Sequence, residues 1–249
     1  MITQIKGKKR ALLFLAKSDK FVLFLTGFPK YPATNNFIDF LVSQNYNVLC
    51  PLYSGTFDSY GDFSIVNCIN DTKDWCNFIN RGEYFLGSRK PKQIIRPSQI
   101  ILFSHSFGSY VLDLALRKYN FNQVKKVIFL SPLNKPYMHQ NESSLNNVKI
   151  TYDMIFRNYP LSYRFKNKVG FFDEISGKKI NLLSSKNIRS KKIKTLVLVG
   201  QNDEVTPKEM AELLARDYPQ CKFEVINGGH SSLIDFKQAT KLMKIFLIN

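Results

Sequence analysis

Residues 100–109 of this 249-residue chain read Ile-Ile-Leu-Phe-Ser-His-Ser-Phe-Gly-Ser. The apolar run Ile100–Phe103 suits a buried strand, and the apolar spacing over Phe107–Tyr119 favours an amphipathic helix. Between them, Ser106 is the centre of a Ser-x-Ser-x-Gly pattern, whose small residues permit a sharp strand-to-helix turn. Such a turn exposes the serine hydroxyl and aims the Phe107 N–H at a developing oxyanion. We therefore predict that Ser106 is a nucleophile; the alternative is a serine that caps an ordinary helix.

The same alternation of strands and helices extends over most of the chain. Strands are expected at continuous apolar runs, and helices where apolar residues recur every three or four positions. The pattern predicts an α/β fold, with a mostly parallel central sheet and helices on both of its faces. The predicted strands are Arg10–Ala16, Phe21–Thr26, Tyr46–Pro51, Ile100–Phe103, Val124–Leu130, Ile193–Val199 and Lys222–Ile226. The predicted helices are Asn35–Gln44, Ser64–Asn80, Phe107–Tyr119, Pro207–Asp217 with Thr206 as its N-cap, and Leu233–Ile248.

With this turn set in an α/β pattern, the chain resembles the α/β-hydrolases over nearly its whole length. The resemblance implies the α/β-hydrolase fold and a catalytic triad in the chain order serine, acid, histidine. It also implies that the acid follows a late strand and that the histidine follows the last one. Ser104 stands where the family's G-x-S-x-G pattern has its first glycine, whereas Gly108 matches the second.

Asp203 and His230 occupy the positions that the resemblance implies for the other two triad members. The late strand ends in Gly-Gln-Asn-Asp-Glu-Val-Thr-Pro, similar to the family's G-x-x-D-x-x-x-P segment. Asp203 would accept a hydrogen bond from the imidazole Nδ1–H, and Glu204 is the adjacent alternative. His230 follows the last predicted strand and two glycines, and we expect it to be the general base. Of the other histidines, His105 adjoins the serine and His139 lies in a central segment.

The run Thr26-Gly27-Phe28-Pro29 resembles the family's His-Gly-x-Pro loop, with Thr26 in place of the histidine. The resemblance implies an oxyanion hole made by the backbone N–H groups of Phe28 and Phe107. Because both donors belong to the main chain, the change at Thr26 leaves them in place. The later loop 51–63 either forms a wall of the substrate pocket or only connects two elements.

Residues 131–192, called the cap segment below, interrupt the alternation for 62 residues. A structureless loop of that length is uncommon in a compact domain. We therefore predict a helical cap, or lid, inserted into a hydrolase core formed by residues 1–130 and 193–249. Eight aromatic residues of the cap segment either line an acyl pocket or form the segment's own core. Its most apolar stretch predicts that Met154 and Phe156 contact the substrate.

The cysteines, the histidines and the apolar runs bound the remaining chemistry. Cys50, Cys68, Cys76 and Cys221 form no C-x-x-C pair, and the chain has only three histidines. No metal site and no cofactor are therefore expected. The apolar run after the basic residues 8–10 has six residues, too few for a typical leader, and no run reaches the ~20 residues that span a bilayer. Together with reduced thiols, these features predict a cytoplasmic protein.

The net charge of +17 has two interpretations, a polyanionic partner or an ordinary solvated surface. We expect the second, and therefore no specific nucleic-acid partner. The predicted activity is hydrolysis of a carboxylic ester or thioester through an acyl-enzyme. The substrate is expected to be a small acyl compound, and the basic cap segment would attract an anionic one. The same fold also hosts amide or peptide cleavage, carbon–carbon bond hydrolysis and acyl transfer, and a non-catalytic basic binding module is a further alternative.

Overall fold

The computed structural model of the chain describes residues 1–28, 31–32, 35–85, 92–134, 142–175, 193–230 and 233–248. These residues form one large sheet, a short hairpin and seven α-helices. The strands of the sheet are β1 (Ile2–Lys6), β2 (Lys9–Phe14), β3 (Lys20–Leu25), β4 (Asn47–Leu52), β7 (Gln99–His105), β8 (Val124–Leu130), β9 (Lys194–Gly200) and β10 (Cys221–Ile226); β5 (Glu83–Phe85) and β6 (Lys92–Ile94) form the hairpin. The helices are α1 (Asn36–Ser43), α2 (Ile65–Arg81), α3 (Phe107–Lys118), α4 (Glu142–Asn158), α5 (Lys168–Ile175), α6 (Lys208–Arg216) and α7 (Phe236–Ile248).

The sheet has the strand order β1-β2-β4-β3-β7-β8-β9-β10. All neighbours from β4 onward are parallel, whereas β2 runs antiparallel to β1 and to β4. The central strands are buried along almost their whole length, which explains their continuous apolar sequences. The predicted mostly parallel sheet is confirmed. Its parallel strands all end at one edge, so the loops that follow β3, β7, β9 and β10 lie near one another.

Apolar clusters on the two faces of the sheet hold the helices in place. The larger cluster joins one face to α2, α3 and α6, and it also includes side chains of α4 and α5. The smaller cluster joins the opposite face to α1 and α7. Helices therefore cover both faces, as the sequence pattern predicts.

Two differences from the predicted elements have local causes. Strand β1 escaped prediction because Ile-Thr-Gln-Ile-Lys has few apolar residues, and it is held by pairing with β2 instead. The prediction that Thr206 is an N-cap is wrong, because the N-cap of α6 is Pro207 and the helix begins at Lys208. The Thr206 side chain instead turns toward Asp203, with consequences described below.

The described part of the cap segment contains α4, a 3-10 turn at Pro160–Ser162, and α5. Residues 135–141, which include His139, and residues 176–192 lie outside the described residues. Tyr152, Phe156 and Phe171 are buried in the larger cluster of the sheet domain. The two helices therefore share that domain's core instead of packing only on each other.

Candidate active site

Ser106 lies in the turn between β7 and α3, in a backbone conformation that few residues other than glycine adopt. Its φ is 52° and its ψ is −120°. The turn is fixed on both sides, since the Ser106 N–H donates to the Leu130 carbonyl at 3.0 Å and the Ser109 N–H donates to the Ser106 carbonyl at 2.9 Å. A positive φ at a non-glycine residue costs of order 1–3 kcal/mol and persists only where the surroundings impose it. These two hydrogen bonds impose it here and hold the hydroxyl at the end of β7.

Gly108 and Ser104 explain how α3 approaches the sheet so closely. A Cβ at position 108 would lie 2.1 Å from the Leu25 carbonyl oxygen, so only glycine fits against β3. Ser104 is fully buried, and its hydroxyl lies 3.1 Å from the Ser109 hydroxyl and 3.3 Å from the Ile128 carbonyl. Ser104, at the position of the first glycine of a G-x-S-x-G pattern, is therefore accommodated by polar contacts with α3 and β8.

The structure brings Ser106, His230 and Asp203 together from three separate loops. The His230 Nε2 lies 3.1 Å from the Ser106 Oγ, and the His230 Nδ1 lies 2.9 Å from both carboxylate oxygens of Asp203. The Asp203 side chain has no exposed surface, whereas that of His230 is 17% exposed. An imidazole held between a hydroxyl and a buried carboxylate can take a proton from the hydroxyl and is stabilised once it carries the positive charge. Glu204, the adjacent alternative, is exposed.

Asp203 receives further hydrogen bonds from the loop that follows it. The N–H groups of Val205 and Thr206 donate to its Oδ1 at 3.1 and 2.7 Å, and the Thr206 hydroxyl donates to its Oδ2 at 2.8 Å. Burial by itself raises the pKa of Asp203, but the hydrogen bonds and positive charge of His230, together with Thr206, lower it below the ordinary value. The carboxylate is therefore ionised and oriented. This role of Thr206 could not be predicted, because a threonine before a proline also fits a helix cap.

Two backbone segments meet beside Ser106. Phe107 is the first residue of α3, so its N–H has no acceptor within the helix. Gly27 lies directly against the turn, since a Cβ there would be 2.9 Å from the Ser106 Cβ. Phe28 follows, and its ring packs 4.1 Å from the Phe107 ring, measured between centroids. The loop after β3 and the first turn of α3 thus meet around the serine, as an oxyanion hole requires.

An aromatic cluster covers this part of the site. The Phe28 ring contacts Tyr152, Phe156 and Tyr163 with centroids 5.0, 5.9 and 5.3 Å apart, and it also contacts Phe63 at 5.2 Å. Phe28, Tyr163 and the loop residues Tyr53, Thr56 and Phe57 border a small cavity of about 10 Å³ beside Gly27. Part of the loop 51–63 therefore does face the region of the predicted oxyanion hole.

The structure separates the two residues that were predicted to contact substrate. Phe156 is 5% exposed and turns toward Phe28, whereas Met154 is 56% exposed on another face of α4. Two residues along a helix differ by about 200° in direction, which explains the difference. Met154 instead borders an outer groove together with Ile150 and Phe172. The sequence identifies this stretch as apolar, but it does not indicate which of its side chains turn inward.

Arg164 fastens the cap segment to the loop 51–63. Its N–H donates to the Gly55 carbonyl at 2.7 Å, and its carbonyl accepts from the Phe63 N–H at 2.6 Å. Its guanidinium donates to the carbonyls of Phe57, at 2.7 Å, and Ser59. The aromatic cluster therefore has a fixed backbone frame on the side of this loop.

Comparison with known proteins bears on the fold. No protein-family model matches the sequence, and no curated protein matches it significantly. Among solved structures, Est1E from Butyrivibrio proteoclasticus, with ferulic acid bound, superposes with a TM-score of 0.70 at 16% identity, covering 100% of this chain and 98% of that one. An α/β hydrolase from a sediment metagenome of the Mar Chica lagoon gives 0.64 at 18% identity, covering 99% and 98%. The chain has the α/β-hydrolase fold. An esterase of Pyrococcus furiosus superposes with a TM-score of 0.66 at 19% identity, covering 96% of this chain and 84% of the esterase.

Three further observations concern membranes, metals and thiols. None of the helices within the described ranges is long and apolar enough to cross a bilayer. The described side chains also include no group of three or more histidines, cysteines or acids placed to hold a metal ion. All four cysteines are free thiols, and burial raises the pKa of Cys76 to about 12. The Cys76 thiol is therefore protonated and behaves as a small core side chain.

Proposed function

We propose that the protein is a serine hydrolase that cleaves a carboxylic ester or thioester through an acyl-enzyme. The observation that carries the proposal is the continuous chain of contacts from the Ser106 hydroxyl through His230 to the buried Asp203 carboxylate. Its position at the carboxyl edge of an α/β-hydrolase fold gives further support. A structural serine and histidine would not need a strained turn and an ionised carboxylate in one place.

The first half of the reaction forms the acyl-enzyme. The Ser106 Oγ attacks the substrate carbonyl carbon while its proton moves to the His230 Nε2. The carbonyl oxygen becomes an oxyanion, which accepts hydrogen bonds from the N–H groups of Phe28 and Phe107. The tetrahedral intermediate then collapses, the bond to the leaving oxygen or sulfur breaks, and His230 returns the proton to the leaving group.

The second half releases the acid. Water gives a proton to His230 and attacks the acyl carbon, the Ser106 ester bond breaks, and the serine regains its proton. Asp203 stays ionised throughout and stabilises the imidazolium in both halves. Phe28, Tyr163 and their neighbours would supply the apolar surface beside the reacting carbonyl. The free thiols fit the reducing conditions of the cytoplasm, which we propose as the location.

Labelling by a fluorophosphonate probe, together with hydrolysis of p-nitrophenyl acetate and butyrate, tests this function. Ser106→Ala should abolish labelling and lower kcat by about 10⁴-fold or more, because the nucleophile is lost. Ser43→Ala is the control, since that exposed serine belongs to α1, on the opposite face of the sheet, and should keep both signals. Labelling or turnover that persists in Ser106→Ala would refute the assignment. A parallel assay on thioesters of the same acyl groups identifies the better leaving atom.

A further inference from the structure

A row of lysines lies at the edge of the sheet opposite to Ser106. Lys20 and Lys194 are the first residues of β3 and β9, and Lys126 is the third residue of β8. Each stands two positions before a member of the apolar cluster under α1 and α7, so strand alternation places all three on that face. Lys126 and Lys194 are register partners on neighbouring strands.

A cavity of about 310 Å³ opens beside this row, and we call it the lysine cavity. Its lining includes Lys20, Lys126 and, from α7, Lys244, together with Gln99 and Tyr46. Among the described residues that line it there is no carboxylate. The three amines therefore surround a volume of the size that small ligands occupy, without an acidic side chain in its wall.

Lys126 is a buried and fixed member of the lysine cavity. It is 7% exposed, and its amine donates to the carbonyls of Phe246 at 2.9 Å and Leu247 at 2.7 Å, at the end of α7. Burial lowers the pKa of Lys126, and the charges of Lys194 and Lys20 lower it further. The Lys126 amine is thus held in place among like charges that a bound anion would offset.

We infer that the lysine cavity binds a small anion that carries two or more phosphate groups. Lysine amines are compact cations that bind phosphate well, and several of them around one cavity suit a multiply charged ligand. The Gln99 side chain, whose Oε1 accepts from the Tyr46 hydroxyl at 3.4 Å, adds a neutral N–H donor to the same wall. Seven residues of β7 separate the start of that strand at Gln99 from the Ser106 turn, a distance of roughly 20 Å. The site is therefore separate from the proposed hydrolase chemistry.

Calorimetric titration of the full chain with inorganic pyrophosphate, at constant ionic strength, tests the inference. We expect saturable binding of one pyrophosphate per chain and a rise in Tm with pyrophosphate concentration. The double variant Lys20→Gln, Lys244→Gln should bind about tenfold more weakly or worse, since two charge-assisted contacts are lost. Lys126 is left unchanged because it also caps α7. Ester hydrolysis without pyrophosphate should be the same in all variants.

The double variant Lys237→Gln, Lys241→Gln is the matched control, because it removes the same two charges from exposed positions of α7 outside the lysine cavity. Its pyrophosphate affinity should equal that of the wild type. Equal weakening in the two double variants would mean that the +17 surface binds anions generally, and it would overturn the site. Absence of saturable binding would overturn it too. Citrate that binds as tightly, and is lost in the Lys20→Gln, Lys244→Gln variant, would overturn the choice of phosphate.

Discussion

Gly108→Ala should damage the proposed catalytic site without touching any of its side chains. The new Cβ would lie 2.1 Å from the Leu25 carbonyl oxygen and 2.9 Å from that of Thr26, where ordinary contact begins at 3.4 Å. Helix α3 and strand β3 must therefore separate by about 1.3 Å, or α3 must rotate. Overpacking of this kind costs about 1–3 kcal/mol of stability. For a chain of this size the Tm should fall by about 2–12 °C.

The larger effect should be on the reaction. Leu25 leads directly into Gly27 and Phe28, and Gly108 follows Phe107, so the separation moves the two oxyanion donors apart. A displacement of about 1 Å costs on the order of 10²-fold in rate, so kcat/KM for p-nitrophenyl acetate should fall about 100-fold. The assay should run at 15 °C, with the fraction of competent sites counted by fluorophosphonate labelling.

Gly170→Ala is the control for Gly108→Ala. It lies in α5, and the atoms nearest to its Cβ would be those of the Asn167 side chain, at 3.2 Å, so a shift of about 0.2 Å relieves the contact. The Asn167 Oδ1 accepts from the Gly170 N–H at 2.9 Å, a hydrogen bond that so small a shift keeps, and alanine favours the helix. The Tm should therefore change by less than about 4 °C, and kcat/KM should stay at the wild-type value. A Gly108→Ala protein with wild-type Tm and kcat/KM would refute the claim that close packing of α3 on β3 forms the site.

Three further changes probe other contacts of the site. Asp203→Asn should lower kcat by about 10³–10⁴-fold in steady-state assays. Hydrogen bonds hold the Asp203 pKa below its ordinary value, so the wild type's advantage in free energy of unfolding should be constant above about pH 5 and shrink as the pH falls further, as urea melts can check. Thr206→Val should reduce kcat several-fold with KM unchanged, Thr206→Ser should restore it, and an unchanged kcat in the valine variant would exclude a positioning role. Arg164→Ala should lower the Tm by about 2–6 °C through lost bonds to two carbonyls, whereas Arg157→Ala, which removes an exposed ion pair, should not.

The features that local sequence could predict are those that follow the end of a strand. Ser106, Asp203 and His230 each stand just beyond an apolar run, and parallel strands carry such positions to one edge. The role of Thr206 could not be predicted, because the path of the loop determines which side chain its hydroxyl contacts. The inward face of α4 escaped it because Met154 and Phe156 are both apolar, and only packing against Phe28 distinguishes them.

Sequence could not predict the lysine cavity either. Lys20, Lys126 and Lys194 are separated by more than 60 residues, and each looks like an ordinary charge at the start of a strand. Only the strand order β3-β7-β8-β9 makes them neighbours. Contacts of that kind depend on topology, which local periodicity does not contain.

The shared core of the cap segment and the sheet domain determines how the protein unfolds. Tyr152, Phe156 and Phe171 belong to the same apolar cluster as the side chains of α2, α3 and the central strands. Detaching α4 and α5 would expose these rings together with Phe28 and Phe63, so local opening should require nearly the free energy of global unfolding. Calorimetry should record one heat-absorption peak, and the backbone amides of α4 near Tyr152 and Phe156 should exchange hydrogen almost as slowly as those of β8. A substrate would therefore reach Ser106 past a cap segment that unfolds together with the sheet and does not open separately.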